Sequence, residues 1–204
     1  MPEEVEFATK LVLARRMLQR VLHHGLPFAW VTADSVYGAD SHRRRFLTEH
    51  QIPYVLAVAP HHRVRLGWQE GFESIRVDEW LARKRRQLRW HRLSAGDGSK
   101  GPRWYDWAWW KMNAEVPEGW QAWMLVRRSI SDPTEVVYYR VCAPKEMTLH
   151  QIVQVAGQRW KVEEAIERAK GACGLEKSRG EKLDRMVSAR DPLLGGPVLC
   201  HLEG

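Results

Sequence analysis

Apolar residues recur every three or four positions through the first part of the chain. The recurrence over residues 4–23 predicts an amphipathic helix. Acidic residues open this segment and a histidine pair closes it, an order that suits the dipole of a helix. Gly25 and Pro27 then end the helical pattern.

Two short and almost continuously apolar runs follow this helix. Residues 28–34 and residues 53–58 have the length and composition of strands that are buried on both faces. Between them, the sequence predicts a helix that begins after Asp40 or Ser41 as its cap and ends near His50. Helices and strands that alternate with short joins favour an α/β fold with parallel strands.

The middle of the chain has a different pattern. A helix is predicted over residues 77–86, and an antiparallel sheet inserted into the α/β layer is predicted from closely spaced strands at 87–93, 103–113, 120–128 and 135–142. Turns are expected at 96–98, 117–119 and 131–133. Thr148 precedes a long helix that reaches about Leu175. The remaining residues, 176–204, are expected to form a poorly ordered tail.

Composition and charge narrow the class of protein. The 204 residues carry a net charge of +7, which favours polyanionic partners, nucleic acid first. Three cysteines without a CxxC pair argue against a disulfide framework or a zinc ribbon and favour the reducing cytoplasm. No apolar run is long enough to span a membrane. The 11 tryptophans are expected mostly in the core of a sheet, with base stacking as the alternative for some of them.

Three charged residues share one edge of the last predicted helix. Arg159, Glu163 and Lys170 are spaced so that they fall within about 40° of one another around a helix. The simplest interpretation is a solvated face with an i,i+4 ion pair. The alternative is that a carboxylate between two cations holds a metal ion against a phosphodiester. An apolar stripe is predicted beside this edge, made of Val155, Val162, Ile166, Ala169 and Cys173.

Asp34 is the second candidate. It ends the first apolar run, and ligands of open α/β sheets bind at the carboxyl ends of the strands. An aspartate in this position is also a common helix cap or turn residue, so both interpretations remain open. A helix laid over the sheet with Glu163 beside Asp34 would give clustered carboxylates of the kind that bind Mg²⁺. Arg159 and Lys170 would then hold the flanking phosphates.

Four blocks of the sequence together resemble the DDE transposases of bacterial insertion sequences, of the type with a Tyr–Arg–Glu–Lys signature. The resemblance covers roughly residues 4–175, and it is carried by residues 30–38, 53–58, 94–103 and 156–175. It implies an RNase H-like fold with a β-rich insertion between the second and third acidic residues. It also implies Mg²⁺-dependent cleavage and strand transfer at transposon ends, so the expected partner is double-stranded DNA.

The same resemblance assigns roles to individual residues. Asp34 matches the second acidic residue and Glu163 the third, so both are expected to be catalytic and to bind metal. Arg159 and Lys170 match the arginine and lysine of the signature and are expected to bind DNA phosphates. The tyrosine position falls on Ala156. Glu164 competes as third acid but lies roughly 100° further around the helix.

The sequence departs from the family pattern at both ends. The family's first catalytic aspartate lies on a strand before the opening helix, and no aspartate precedes Asp34 here. We therefore expect a catalytic-domain fragment that lacks the first strands, has an incomplete two-ion Mg²⁺ site and is inactive alone. Its expected layout is a core over residues 4–60, the β-rich insertion over 61–147, the core helix over 148–175 and a divergent tail over 176–204.

Two other functions remain open. The first is a non-catalytic DNA-binding or regulatory protein derived from a transposase, which acts as a homodimer or pairs with full-length transposase. The basic runs 43–45 and 83–86, with Arg89 and Arg92, would contact phosphates in that case, although solvated helix faces are the simpler explanation. The second is an unrelated nuclease with an RNase H-like fold, which needs another acidic residue near Asp34; Asp40 and Asp78 are poorly placed for this role.

Overall fold

The computed structural model describes residues 7–65 and 74–172, apart from the side chain of Glu163. The chain divides into two compact units, Met1–Trp160 and Lys161–Gly204. The predicted tail, 176–204, lies outside the described residues. The helices are α1 (Lys10–His23), α2 (Ser35–Gly38), α3 (Ser41–Glu49), α4 (Val77–Lys84) and α5 (Leu149–Ala172). The strands are β1 (Val31–Ala33), β2 (Tyr54–Val58), β3 (Arg63–Val64), β4 (Ile75–Arg76), β5 (His91–Gly98), β6 (Gly101–Met112), β7 (Trp120–Arg128) and β8 (Val136–Pro144).

One six-stranded sheet organises the first unit, with the strands in the order β1-β2-β8-β7-β6-β5. The predicted parallel pair is confirmed, since β1 and β2 run parallel with Val31 opposite Tyr54. The other neighbours are antiparallel. The β-rich middle of the chain therefore extends the same sheet as the α/β part. A separate two-stranded sheet joins β3 and β4.

The two predicted buried strands differ in burial. All five residues of β2 are buried, as expected for a strand with neighbours on both sides. The prediction that residues 28–34 form a strand buried on both faces is wrong, because β1 covers only Val31–Ala33 and is partly exposed. The reason is its place in the sheet: β1 is an edge strand, and among the described residues no strand pairs with its outer side.

Each face of the sheet is covered by a different set of helices. On one face, α5 packs Ile152, Val153 and Ala156 into a core with strand residues such as Trp107 and Val141. On the other face, α4 packs around the fully buried Trp80, and α3 packs through Phe46 and Leu47. The tryptophans serve this core for the most part, with Trp107 at 1% exposure, whereas Trp104 is 53% exposed.

Several predicted boundaries move. The opening helix begins at Lys10, capped by the Thr9 hydroxyl, and its first turn holds no acidic residue, so the expected acidic start is wrong. The expected turn at 96–98 is also wrong, because β5 continues to Gly98 through an irregularity between Ser94 and Asp97. Asp40 caps α3 as predicted. No described helix is long and apolar enough to cross a membrane.

The predicted apolar stripe of the last helix is corrected in part. Val162 and Ile166 are 58% and 49% exposed, so they do not continue the packed face of α5. The buried residues that pack are Leu149, Ile152, Val153 and Ala156, which lie one turn apart at the start of the helix. Val155, a predicted member of the stripe, is partly buried and packs against the same core, and Cys173 lies outside the described residues. Periodicity located the helix, but it did not locate the part of the helix that is buried.

Candidate active site

Asp34 directly follows β1 and is the N-cap of α2. Its Oδ1 accepts hydrogen bonds from the backbone amides of Val36 at 3.0 Å and Tyr37 at 3.3 Å. The capping role that the sequence left open is therefore real. Both bonds use the same oxygen, so capping leaves Oδ2 as a second acceptor at the carboxyl end of the strand.

The turn after Asp34 is pressed against the neighbouring strand. A Cβ added to Gly38 would lie 1.8 Å from the carbonyl oxygen of Ala57, so only glycine fits at this approach. Arg44 donates to the carbonyl oxygen of Gly38 and closes the turn from the other side. These contacts fix the backbone that carries Asp34 relative to the end of β2.

A buried cation lies beside this turn. Arg43 is 5% exposed, its guanidinium lies 4.6 Å from the ring of Tyr37, and its Nη2 donates to the carbonyl oxygen of Leu11 at 3.4 Å. Burial lowers the pKa of Arg43, while nearby acidic groups, Asp34 among them, act in the opposite direction. Neither interpretation of the basic run 43–45 therefore holds for Arg43: it is neither a solvated residue nor a free phosphate ligand.

Two polar contacts anchor the start of α5 to the β5–β6 hairpin, and a third bond of the same arginine lies within the hairpin. Gln154 donates to the carbonyl oxygen of Ser94 at 2.9 Å. The Nη2 of Arg103 donates to the carbonyl oxygens of Ala95 at 2.7 Å and Gly157 at 3.0 Å. These bonds fix the axial position of the helix against the bulged part of β5.

Two further features bring the helix and the hairpin close together. The guanidinium of Arg103 lies 4.4 Å from the ring centre of Trp160, a cation–π geometry. A Cβ on Gly157 would lie 1.9 Å from the carbonyl oxygen of Ala95. Sequence reasoning did not assign Arg103 this positioning role, although it closes one of the blocks that carried the resemblance. A lone arginine next to a glycine-rich turn gives no pattern that reveals its partner.

The predicted charged edge lies on one helix, as expected. Arg159, Glu163 and Lys170 all lie in α5, Arg159 within the first compact unit and the other two within the second. Arg159 lies close enough to Tyr139 to counteract the burial that raises the pKa of that phenol. Lys170 is exposed. Ala156, at the tyrosine position of the signature, is 9% exposed and packs in the core.

Comparison with known families decides the class of protein. The family described as DDE superfamily endonuclease matches residues 1–102, which is half of the chain and includes Asp34 and both parallel strands. The chain belongs to this DDE endonuclease family. DDE endonucleases act on DNA and generally use divalent metal ions. No curated protein matches the chain.

The sequence left Glu163 and Glu164 as competing candidates for the third acidic residue. Glu164, the competitor of Glu163, forms an i,i+4 ion pair with Arg168 on the surface of α5. That pair uses the Glu164 carboxylate for local helix stabilisation. Glu164 therefore has a structural role of its own.

A metal cage is not assembled by the described side chains of this endonuclease. Within residues 7–65 and 74–172, no three His, Cys, Asp or Glu side chains are grouped so that they hold a metal ion. The side chain of Glu163 is outside this set. Of the two candidate carboxylates, Asp34 and Glu163, Asp34 is therefore the one whose side-chain position the structure describes.

The predicted basic run 83–86 of this DDE endonuclease chain lies at and just after the end of α4. Arg83, Arg85 and Arg86 are exposed, whereas Lys84 lies over the ring of Trp110 at 5.5 Å. Arg92 is not free for DNA, because its Nε donates to Asp106 at 3.0 Å. The predicted run 83–86 is therefore exposed at three of its four positions.

Proposed function

We propose that this chain carries the second and third acidic positions of a DDE transposase, which cleaves DNA and transfers strands at the ends of an insertion sequence. Asp34 is the second acid and Glu163 the third. One observation carries the proposal: Asp34 stands at the carboxyl end of β1, beside the parallel β2, within the range that the family matches. That edge of an α/β sheet is where ligands bind.

The donor chemistry fits a divalent metal ion. Carboxylate oxygens are the ligands that Mg²⁺ prefers, and the capping bonds of Asp34 use Oδ1 and leave Oδ2 to coordinate. Glu163 supplies the second carboxylate. When bound, Mg²⁺ stabilises the charge that develops on the attacking and leaving oxygens of phosphoryl transfer.

The cations of the last helix supply the contacts to DNA. Arg159 and Lys170 donate to backbone phosphates, which orients the scissile phosphodiester without reading its sequence. The Arg103–Gly157 contact and the Gln154–Ser94 contact hold the start of the same helix against the sheet. Glu164 remains in its ion pair with Arg168 and takes no part in the chemistry.

The 204 residues are proposed to be inactive by themselves. They include no aspartate before Asp34 to serve as the first acid of the family. Two metal ions that are normally held by three carboxylates lose one side of their cage when one carboxylate is missing. Asp34 and Glu163 alone are expected to hold an ion weakly and not to support cleavage.

Nicking of supercoiled plasmid DNA tests this proposal. With Mg²⁺ or Mn²⁺, the purified chain should produce no more nicked circles than its Asp34→Asn and Glu163→Gln variants. Asp40→Asn is the matched control, because Asp40 caps the next helix in the same way but is assigned no catalytic role. Nicking that is present in the parent and in Asp40→Asn but lost in the other two variants would show that the chain is active alone.

A second function is favoured by the exposed arginines of α4. Arg83, Arg85 and Arg86 suit sequence-independent contacts to phosphates, as expected of a non-catalytic DNA-binding or regulatory relative of a transposase. Replacement of all three by glutamine should flatten the dependence of DNA affinity on salt, by about one unit of slope per lost contact. Replacement of Arg15, Arg16 and Arg20 by glutamine, all three exposed on α1, provides the charge-matched control. An equal effect of both sets would contradict a specific DNA-binding surface on α4.

A further inference from the structure

A cavity of about 430 Å³ opens on the face of the sheet that carries α3. Its walls come from α3, from β2 and β8, and from the segment that precedes β7. The polar and charged side chains that line it are Arg44, Arg45, Thr48, Glu49, Tyr54, Glu115 and Arg140. Its volume lies in the range of pockets that hold small ligands.

Two arginines give this cavity its charge. Arg44 and Arg140 are both partly buried, and their positive charges repel each other. The pKa of Arg44 is lowered to about 10, mainly by burial and to a smaller extent by the charge of Arg140. Burial also lowers the pKa of Arg140. Arginine side chains stay protonated in proteins at neutral pH, so both guanidinium groups carry a positive charge. Two like charges held together in a partly buried site are costly unless an anion joins them.

Neither arginine has a carboxylate partner that offsets this cost. Among residues 7–65 and 74–172, no carboxylate lies within ion-pair distance of Arg44 or Arg140. Arg44 uses one nitrogen on the carbonyl oxygen of Gly38. Glu49 and Glu115 also line the cavity, but both are exposed.

The nearby histidine does not supply negative charge either. Burial, with the positive charge of Arg44 and Arg140, lowers the pKa of His62 to about 4, so the ring is neutral at physiological pH. Its Nε2 is buried and has no hydrogen-bond partner among the described residues. The groups that raise the pKa of Arg44 are Tyr54 and then Asp40, and each has a smaller effect than burial or Arg140.

We propose that this cavity binds a backbone phosphate of the DNA on which the protein acts. Arg140 and Arg44 donate to the phosphate oxygens, and the exposed Arg45 at the mouth adds a third positive charge along the path of the strand. A guanidinium group donates two parallel hydrogen bonds to two oxygens of one phosphate, whereas the ammonium group of lysine acts as a point charge. The choice of DNA as the source of the phosphate rests on the proposed function; the anion site itself rests on the cavity.

The first arm of the test uses inorganic phosphate and pyrophosphate as probes, with sodium chloride at equal ionic strength as the reference. Thermal unfolding of the parent should shift upward with either probe. The shift should disappear in Arg140→Met and persist in Arg20→Met, an exposed arginine of α1. Arg140→Lys keeps the charge without the paired donors and should retain a smaller shift. Circular dichroism of each variant checks that the fold is kept.

The second arm measures DNA binding by fluorescence anisotropy over a range of salt concentrations. Arg140→Met should weaken binding and reduce the slope of log affinity against log salt by about one. The absence of any phosphate shift in the parent, or an equal shift in Arg140→Met, would overturn the anion site. A phosphate shift that needs Arg140, together with DNA binding that does not, would overturn the assignment to DNA. Plasmid nicking is not used in either arm, so the outcome is separate from that of the catalytic proposal.

Discussion

The guanidinium of Arg103 donates to the carbonyl oxygen of Gly157 at 3.0 Å and so joins β6 to the helix that carries Glu163. The same nitrogen donates to Ala95, and the charge lies over the ring of Trp160. One side chain thus ties the hairpin to two positions of the helix. The anchor therefore fixes the start of α5 against the β5–β6 hairpin.

Arg103→Lys should weaken the anchor, because an ammonium group does not reproduce the two backbone hydrogen bonds and the stacking at once. We expect the free energy of unfolding in urea to fall by about 1–3 kcal/mol. Arg127→Lys is the control, since Arg127 lies over the ring of Tyr105 at 4.3 Å in a similar cation–π contact. Equal losses in the two variants would mean that the bonds to Ala95 and Gly157 contribute nothing particular.

Gly157→Ala should be strongly destabilising. The new Cβ would lie 1.9 Å from the carbonyl oxygen of Ala95, so the helix must move away from β5. A loss of about 2 kcal/mol or more is expected from such overpacking. Gly171→Ala in the same helix meets nothing within 4 Å and should stabilise by about 0.5–1 kcal/mol through helix propensity. Denaturant titration of both variants measures the contrast, and a neutral Gly157→Ala would refute the close approach.

Asp34→Asn and Asp34→Ala separate the capping role of Asp34 from its proposed role as a metal ligand. Asparagine keeps an oxygen that accepts from Val36 and Tyr37, so stability should hardly change, whereas alanine should lose about 1 kcal/mol. Both variants should lose the metal ligand. The same pair at Asp40 should give the same stability pattern without any effect on metal binding. If Asp34→Asn bound Mn²⁺ as the parent does, Asp34 would be a cap and nothing more.

Acid should destabilise the protein through His62. Its folded pKa of about 4 lies below the value of about 6.5 for an unfolded chain, so the unfolded state binds the additional proton between these values. Stability that is complete above pH 6.5 is therefore lost as the pH falls toward 4. His62 is partly exposed, so solvent screening limits the loss to about 1–2 kcal/mol.

His62→Gln tests this dependence, because glutamine does not titrate. The difference in unfolding free energy between pH 7 and pH 4.5 should be smaller in this variant than in the parent. His150→Gln replaces an exposed histidine at the start of α5 and should leave the difference unchanged. A His62→Gln variant with the full acid sensitivity of the parent would place the titrating group elsewhere.

The sequence predicted the helices and strands correctly where the local pattern of apolar and polar residues matches the burial of those residues in the fold. Residues 120–128 form β7 as predicted, and Asp40 caps α3, because alternation and capping are local signals. The edge position of β1 was not predictable, since burial depends on which strands pair with it. Val162 and Ile166 are apolar and nevertheless exposed, which periodicity alone does not anticipate.

The candidate site was predictable only in part for the same reason. Asp34 was found because it ends an apolar run, a position with a general meaning in α/β sheets. For Arg43 and Arg44, the sequence suggested either a DNA-contacting surface or a solvated helix face. Both interpretations assume that the side chains are exposed, because runs of charged residues usually are. Their burial depends on contacts with Leu11 and Gly38, which lie outside the run and leave no local signature.

Iron-directed cleavage of the polypeptide tests the central claim most directly. Fe²⁺ replaces Mg²⁺ at oxygen ligands, and with ascorbate and hydrogen peroxide it releases hydroxyl radicals that cut the backbone close to the bound ion. The account predicts cuts beside Asp34 and beside Glu163, both suppressed by excess Mg²⁺, both lost in Asp34→Asn and both kept in Asp40→Asn. Cuts at only one of the two positions, or cuts that persist in Asp34→Asn, would contradict a shared metal site of Asp34 and Glu163.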